Sequence, residues 1–325
     1  MRKLIAPLSA ALAAFAVAAA PSVQAQEWPS KPVRLVVPYP PGGNVDGAAR
    51  IISGELQKLL GQPIVVENKA GAGGMLAGEH VARADPDGYT LFMAANGPLL
   101  YSPTIYGRPL YHWQKDFAPI STVSLTPLLV QVHPSVPAKT VPELVALAKA
   151  KPDSVTMASP GAGTTNHLLS EMLQKQTGAK WVTAHYKGNA PATNDLLGGQ
   201  VQFNIDQVSV AQPFIKDGRT RPLAVIAPKR VPWLPDVPTL QEQGITGVEG
   251  QTFTGVLAPA GTPPAVIDKL STALRTVLAN PDVKARFYQA GADTQFMTPK
   301  EFSAYLAKEE STWLPIIRAA NIKAN

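Results

Sequence analysis

Apolar and polar residues along this chain follow a strand rhythm and a helix rhythm that take turns. The β-rich run Val33-Arg34-Leu35-Val36-Val37 closes on Pro38 and predicts a strand over 33–38. Ala48, Ile51, Ile52, Leu56, Leu59 and Leu60 then recur at helical spacing and predict a helix over 45–60, with Asn44 as its N-cap and Gly61 as its stop. A second strand over 63–67, the loop Gly71-Ala72-Gly73-Gly74 and a helix over 75–84 repeat the unit. After the turn Asp85-Pro86-Asp87-Gly88, a third strand is expected over 89–94. Strand, glycine loop and helix in this order mark an α/β domain with parallel strands.

Beyond residue 100 the alternation pauses. A β-rich stretch over 120–132, interrupted only at Thr126-Pro127, reads as one strand passing from one lobe to another. A fresh alternation follows: helix 141–151, strand 155–158, a third glycine loop over 159–165, helix 166–178, strand 181–185, helix 191–198, strand 201–206 and strand 223–227. A strand over 253–258 returns to the first lobe, and helices over 262–279, 281–290 and 300–320 close the chain. The expected architecture is two α/β lobes, 26–125 with 252–325 and 126–251, joined by two crossing strands. The cleft between them is the default ligand site.

Composition narrows the chemistry. Arg2 and Lys3, an alanine-rich apolar run over 10–20, and the small residues of Val23-Gln24-Ala25 have the form of a cleaved export signal over 1–25, so a periplasmic location is expected. The chain has no cysteine, which removes disulfides, thiolate nucleophiles, cysteine-ligated metals and a lipid anchor at the cleavage point. The net charge of +6 comes without a basic run, so nucleic acid is not an expected partner. Gly71-x-Gly73 and Gly161-x-Gly163 would need glycine at Leu76 and Asn166 to complete a dinucleotide fingerprint; no phosphate-binding P-loop and no G-x-S-x-G nucleophile elbow occur. His167 and Glu171 share a helix face, a pair too small for a metal site. No cofactor, no metal and no catalytic residue are expected.

The pointed signal is that three glycine loops each precede a helix. A helix N-terminus offers free N–H groups and about half a positive charge, and glycine lets a ligand approach that backbone. Three such ends are able to hold a carboxylate without an arginine, the first two loops being the expected seat; the alternative reading is that the glycines only make tight turns between strand and helix.

Ordered motifs over nearly the whole mature chain point to one family. Pro38-Tyr39-Pro40-Pro41-Gly42-Gly43-x-x-Asp46-x-x-Ala49-Arg50 resembles the first loop and helix of the Bug/TctC proteins, the extracytoplasmic solute receptors of tripartite tricarboxylate transporters. Val65-Val66-Glu67-Asn68-Lys69-x-Gly71-Ala72-Gly73-Gly74, Tyr186-Lys187-Gly188, Asp195-Leu196-Leu197-Gly198-Gly199-Gln200 and Pro235-Asp236-Val237-Pro238-Thr239 follow in family order. The resemblance implies a two-lobed periplasmic binding protein of the type II-like, Venus-flytrap kind with two interlobe crossover strands. It also implies a monomer that closes on a small organic carboxylate and hands it to membrane transporter subunits or, alternatively, presents it to a sensor kinase.

Carried over residue by residue, the ligand-binding candidates are Tyr39, Pro41, Gly42, Gly43 and Asp46 in the first loop, Ala72 and Gly73 in the second, and Ser159, Gly161, Thr164, Thr165 and Asp206 in the second lobe. Asp46 either meets ligand or simply favours the helix dipole, and Asp206 either meets ligand or anchors a neighbouring loop. Phe253 stands where the family often has tryptophan and Val45 where it often has threonine, departures that point to an aromatic or bulkier ligand.

Overall fold

The computed structural model describes residues 27–151 and 154–324. The export signal expected over 1–25 lies outside them. The chain runs β1 (Val33–Val37), α1 (Asn44–Leu60), β2 (Ile64–Asn68), α2 (Met75–Ala82), β3 (Thr90–Ala95), a wide turn of π-helix over Gly97–Tyr101, and two single-turn helices, α3 (Ser102–Ile105) and α4 (Trp113–Asp116). It continues with β4 (Phe117–Val132), α5 (Val141–Ala150), β5 (Thr156–Ser159), α6 (Thr165–Thr177), β6 (Val182–His185), α7 (Asn189–Leu197), β7 (Phe203–Gln207), α8 (Val208–Lys216) and β8 (Arg221–Ile226). The last elements are β9 (Gln251–Pro259), α9 (Pro264–Ala279), α10 (Pro281–Gln289), β10 (Asp293–Thr294) and α11 (Pro299–Ala319).

The first half of the sheet shows why β1 is apolar on successive residues. Val33, Leu35 and Val37 face Ile52 and Leu56 of α1 and Leu270 and Leu274 of α9, while Val36 faces Met75 and Val81 of α2 on the other side. A strand covered by helices on both faces buries both alternations. β1 pairs in parallel with β2 and β3. The second half repeats the arrangement, with β5 parallel to β6 and β7.

Two strands join the halves. β4 pairs with β9 as far as Pro127↔Gln251, then with β7 and β8 from Leu128 onward. Pro127 has no N–H to give, and it stands where the strand changes partners, a position that tolerates proline. β9 lies between β3 and β4. The result is the expected α/β fold of two lobes with two crossover strands.

Several local expectations are corrected. Gly43, not Asn44, is the N-cap of α1, because the Asn44 side chain is engaged elsewhere and leaves no cap bond to make. Helix α7 begins at Asn189, two residues before the position suggested by Pro191. Helix α8, between the expected strands at 201–206 and 223–227, is an added element. Its apolar positions Val208, Ala211 and Ile215 suit a helix, but Pro213 inside it hides the pattern.

Candidate functional site

The loops that follow the parallel strands of the two halves face each other. Ser102 Oγ donates to Gly73 O at 3.0 Å and to Gly163 O at 3.3 Å, bridging the second and third glycine loops. A side chain at Gly97 would lie 2.9 Å from Gly163 O, and one at Gly73 would lie 2.6 Å from Ala162 O. The lobes are therefore closed on each other.

Between them remains a small cavity of about 20 Å³, room for a water molecule. Tyr39, Asn44 and Val45 line it from the first lobe, Thr164, Thr165, Asn166 and Asn189 from the second, and Gln207 and Thr252 from the strand ends. The first residues of α1, α6 and α7 thus share one space. No side chain caps α1 or α7, and Thr164 caps only the His167 N–H of α6. Orphan N–H groups of three helices, each the positive end of a dipole, converge where no lysine, arginine or histidine is present.

A polar network fixes the second-lobe wall. Asp206 is fully buried, and its carboxylate accepts from Asn189 Nδ2 at 2.6 Å, Thr193 Oγ1 at 3.2 Å, Asn204 Nδ2 at 3.1 Å and the Gln207 N–H at 2.9 Å. Burial pushes its pKa up to about 7, against the pull of these donors. Gln207 accepts from Asn189 at 2.8 Å and donates to Asn166 Oδ1 at 3.1 Å and to Thr252 Oγ1 at 2.9 Å. Asp206 does not line the cavity; it aims the asparagines that do.

Asp46 has the same kind of role on the first lobe. Its Oδ2 accepts from the Gly42 N–H and from Arg50 Nε, each at 2.9 Å, and its Oδ1 accepts from Asn68 Nδ2 at 2.9 Å. Burial alone raises its pKa, but the bonds from Arg50, Gly42 and Asn68 outweigh burial and hold it below the usual value. Asn68 also donates to Tyr39 O at 2.8 Å, so one acid clamps the whole first loop.

The other candidates divide. Tyr39, Thr164 and Thr165 reach the cavity. Pro41 is exposed, and Gly42 and Gly43 border a neighbouring space of about 150 Å³ beside Ser209 and Phe287. Gly73, at φ +61°, belongs to the lobe contact, and neither it nor Ala72 lines the cavity. Ser159 Oγ donates to Gly161 O at 3.2 Å and shapes the third loop, and Gly161 itself turns at φ +148°. Phe253 is fully buried edge-on to Phe302 and Tyr305, away from the cavity. Phe253 is therefore not part of the lining, where Tyr39 is the one aromatic side chain. Asn189, Gln207 and Thr252 escaped the sequence reading; Gly188, at φ +128° immediately before α7, was the available signal.

A wider concavity on the outer face of the first lobe, about 950 Å³ and open to solvent, is lined by charges of both signs, including the pairs Lys31 with Asp87 and Arg83 with Glu79. Among the described residues no cluster of three or more metal-ligating side chains occurs, and no helix is long and apolar enough to cross a membrane.

Two α/β lobes shut over a small, polar, charge-free cavity are the architecture of a solute-binding protein. The chain belongs to the TctC family, the tripartite tricarboxylate transporter family receptors, whose model matches residues 48–322. It is 34% identical to protein BugT of Bordetella pertussis over 324 residues, 99% of either chain. Among solved structures it is similar to the Rhodopseudomonas palustris protein Rpa4515 with adipate, at 31% identity and a TM-score of 0.88 over 91% of this chain and 99% of that one. It is also similar to MatC of the same organism with bound malate, at 32% identity and a TM-score of 0.85 over 89% and 99%. The family and these neighbours are solute-binding receptors, not enzymes.

Proposed function

We propose that this chain is a periplasmic receptor that captures a small dicarboxylate by closure of two lobes, 26–125 with 252–325 against 126–251, and delivers it to a tripartite tricarboxylate-type membrane transporter. The observation that carries this reading is the meeting of three helix N-termini at one cavity without a cationic side chain. Oriented N–H groups satisfy a carboxylate as acceptor, and closure removes the water that would compete for them. At about 20 Å³ the closed cavity has room for a water molecule, so entry of an acid requires the lobes to part. The adipate and malate of the two related structures belong to the same ligand class.

Differential affinity for the closed form drives the shift from open to closed. The test is calorimetric titration with succinate, malate and adipate, joined to small-angle scattering. Binding of at least one acid with a smaller radius of gyration in the bound state is expected. Binding without contraction would remove hinge closure, and no heat with any of the acids would remove the ligand class. Co-purification of the loaded protein with the membrane subunits of such a transporter checks delivery.

A further inference from the structure

One side chain of the cavity is left unbalanced. Asn44 is 6% exposed, and its Oδ1 is doubly engaged, accepting from Thr126 Oγ1 at 3.1 Å and from Ser209 Oγ at 2.7 Å. Its Nδ2 is buried and has no partner, and of the side chains lining the cavity it is the one with a buried polar atom in that condition. Asn166, Asn189 and Gln207, which face it, satisfy each other and Asp206. A buried amide donor without an acceptor is costly, and a native site that keeps one is short of an acceptor from outside the chain.

We propose that Asn44 is the side-chain donor that recognises the carboxylate, and that Thr126 and Ser209 are the positioning residues that aim it. This rests on the solute-binding reading above. With two hydroxyls donating to Oδ1, the amide presents Nδ2 and nothing else, so the group it meets must be an acceptor: a carboxylate or carbonyl oxygen, and not an ammonium. The aim depends on both halves of the molecule. Thr126 sits on the crossover strand β4, and Ser209 sits on α8 of the second half, whereas Asn44 starts α1 of the first. Ligand recognition by Asn44 is thereby tied to the relative position of the lobes. The neighbouring Val45 has no polar group to take over this role.

Titration of succinate, malate and adipate against the parent chain and four variants tests the assignment, with circular dichroism to confirm folding. Asn44→Ala is expected to weaken succinate about tenfold, the loss typical of one hydrogen bond to a charged group. Asn44→Asp, which sets an acceptor against the ligand carboxylate, is expected to weaken it at least a hundredfold and to shift preference toward succinamate, whose amide donates. Ser209→Ala should cost severalfold and Ser209→Thr should restore most of it, a rescue that a purely structural role would not give. Parent-like affinity in Asn44→Ala, or equal loss in Ser209→Ala and Ser209→Thr, overturns the assignment while carboxylate binding by the parent leaves the receptor reading intact. A parent chain that binds none of the three acids overturns both. If Asn44→Asp does not fold, Asn44→Ala and the two Ser209 variants decide alone.

Discussion

Asn189 Nδ2 lies 2.6 Å from Asp206 Oδ1, so the first residue of α7 is tied to the penultimate residue of β7 by an amide–carboxylate bond buried from solvent. This single contact fixes the wall of the cavity that the second lobe supplies, and it couples the wall to a titrating group.

Asp206→Asn places an amide donor against several donors. A loss of about 2–4 kcal/mol in unfolding free energy and a large loss of affinity are expected, because breaking a buried network leaves its other members unpaired. The pH dependence should change as well. Asp206 is raised from 3.8 to about 7 in the folded chain. Between pH 4 and 7 the folded state keeps a proton that the unfolded state has lost, so this group's contribution to stability falls as pH rises through that window and is flat above it. Urea unfolding at pH 5 and pH 7.5 should show a smaller decline in Asp206→Asn than in the parent.

Gly43→Ala isolates the lobe contact from backbone strain. Gly43 has φ −91°, which any residue adopts, but an added Cβ would stand 2.8 Å from Asn189 Oδ1. Affinity is expected to drop about tenfold through overpacking of the closed form. Gly61→Ala is the converse control: φ is +71° and the space around it is open, so it should cost roughly 1 kcal/mol of stability and leave affinity unchanged. Calorimetry and thermal melts of the pair separate the two effects.

Asp46→Ala should loosen the first loop. The loss of three bonds, to Gly42, Arg50 and Asn68, is expected to cost about 2 kcal/mol and to weaken every acid alike. Because the folded pKa is below 3.8, the contribution of Asp46 is present above that value and disappears as pH falls through the folded one. Parent and variant should therefore converge in stability as pH falls below 3.8, a comparison that denaturant titration makes directly.

Thr165→Val and Phe253→Ala should behave as opposites. Thr165 lines the cavity, and exchange of its hydroxyl for a methyl group should reorder a panel of hydroxylated and plain dicarboxylates by about tenfold. Phe253 packs on Phe302 and Tyr305, and its truncation should cost roughly 3–5 kcal/mol of stability while leaving the order of ligands as it was. Melting curves alongside a ligand panel distinguish the two patterns.

Much of the fold was legible because the chain signals it locally. The apolar run of β1, the helical spacing of α1 and the glycines between them needed no tertiary information, and Thr126-Pro127 marked the point where β4 changes partners. Elements whose signal is overridden by a tertiary contact were harder. Asn44 has the chemistry of a cap, yet Thr126 and Ser209, 82 and 165 residues away, claim its side chain. Pro191 suggested a helix start that the Asp206 network moves back to Asn189, and Pro213 concealed α8, which carries Ser209. The site divided in the same way. Its backbone donors followed from glycine loops before helices, whereas Gln207 and Thr252 belong to it only because strand ends from distant parts of the chain meet there.

The lining of the cavity holds no lysine, arginine or histidine. Dissolved ions blunt the attraction between exposed charges beyond about 8 Å at physiological strength, but they have little purchase on short N–H contacts sealed between two lobes. Affinity for a dicarboxylate is then expected to vary by no more than about twofold between roughly 0.01 and 0.5 M sodium chloride, unlike that of an arginine-clamped site, where the Debye length shrinks several-fold over the same range. A receptor built this way solvates its anion with fixed dipoles and stays indifferent to the osmotic and saline swings of the medium around it.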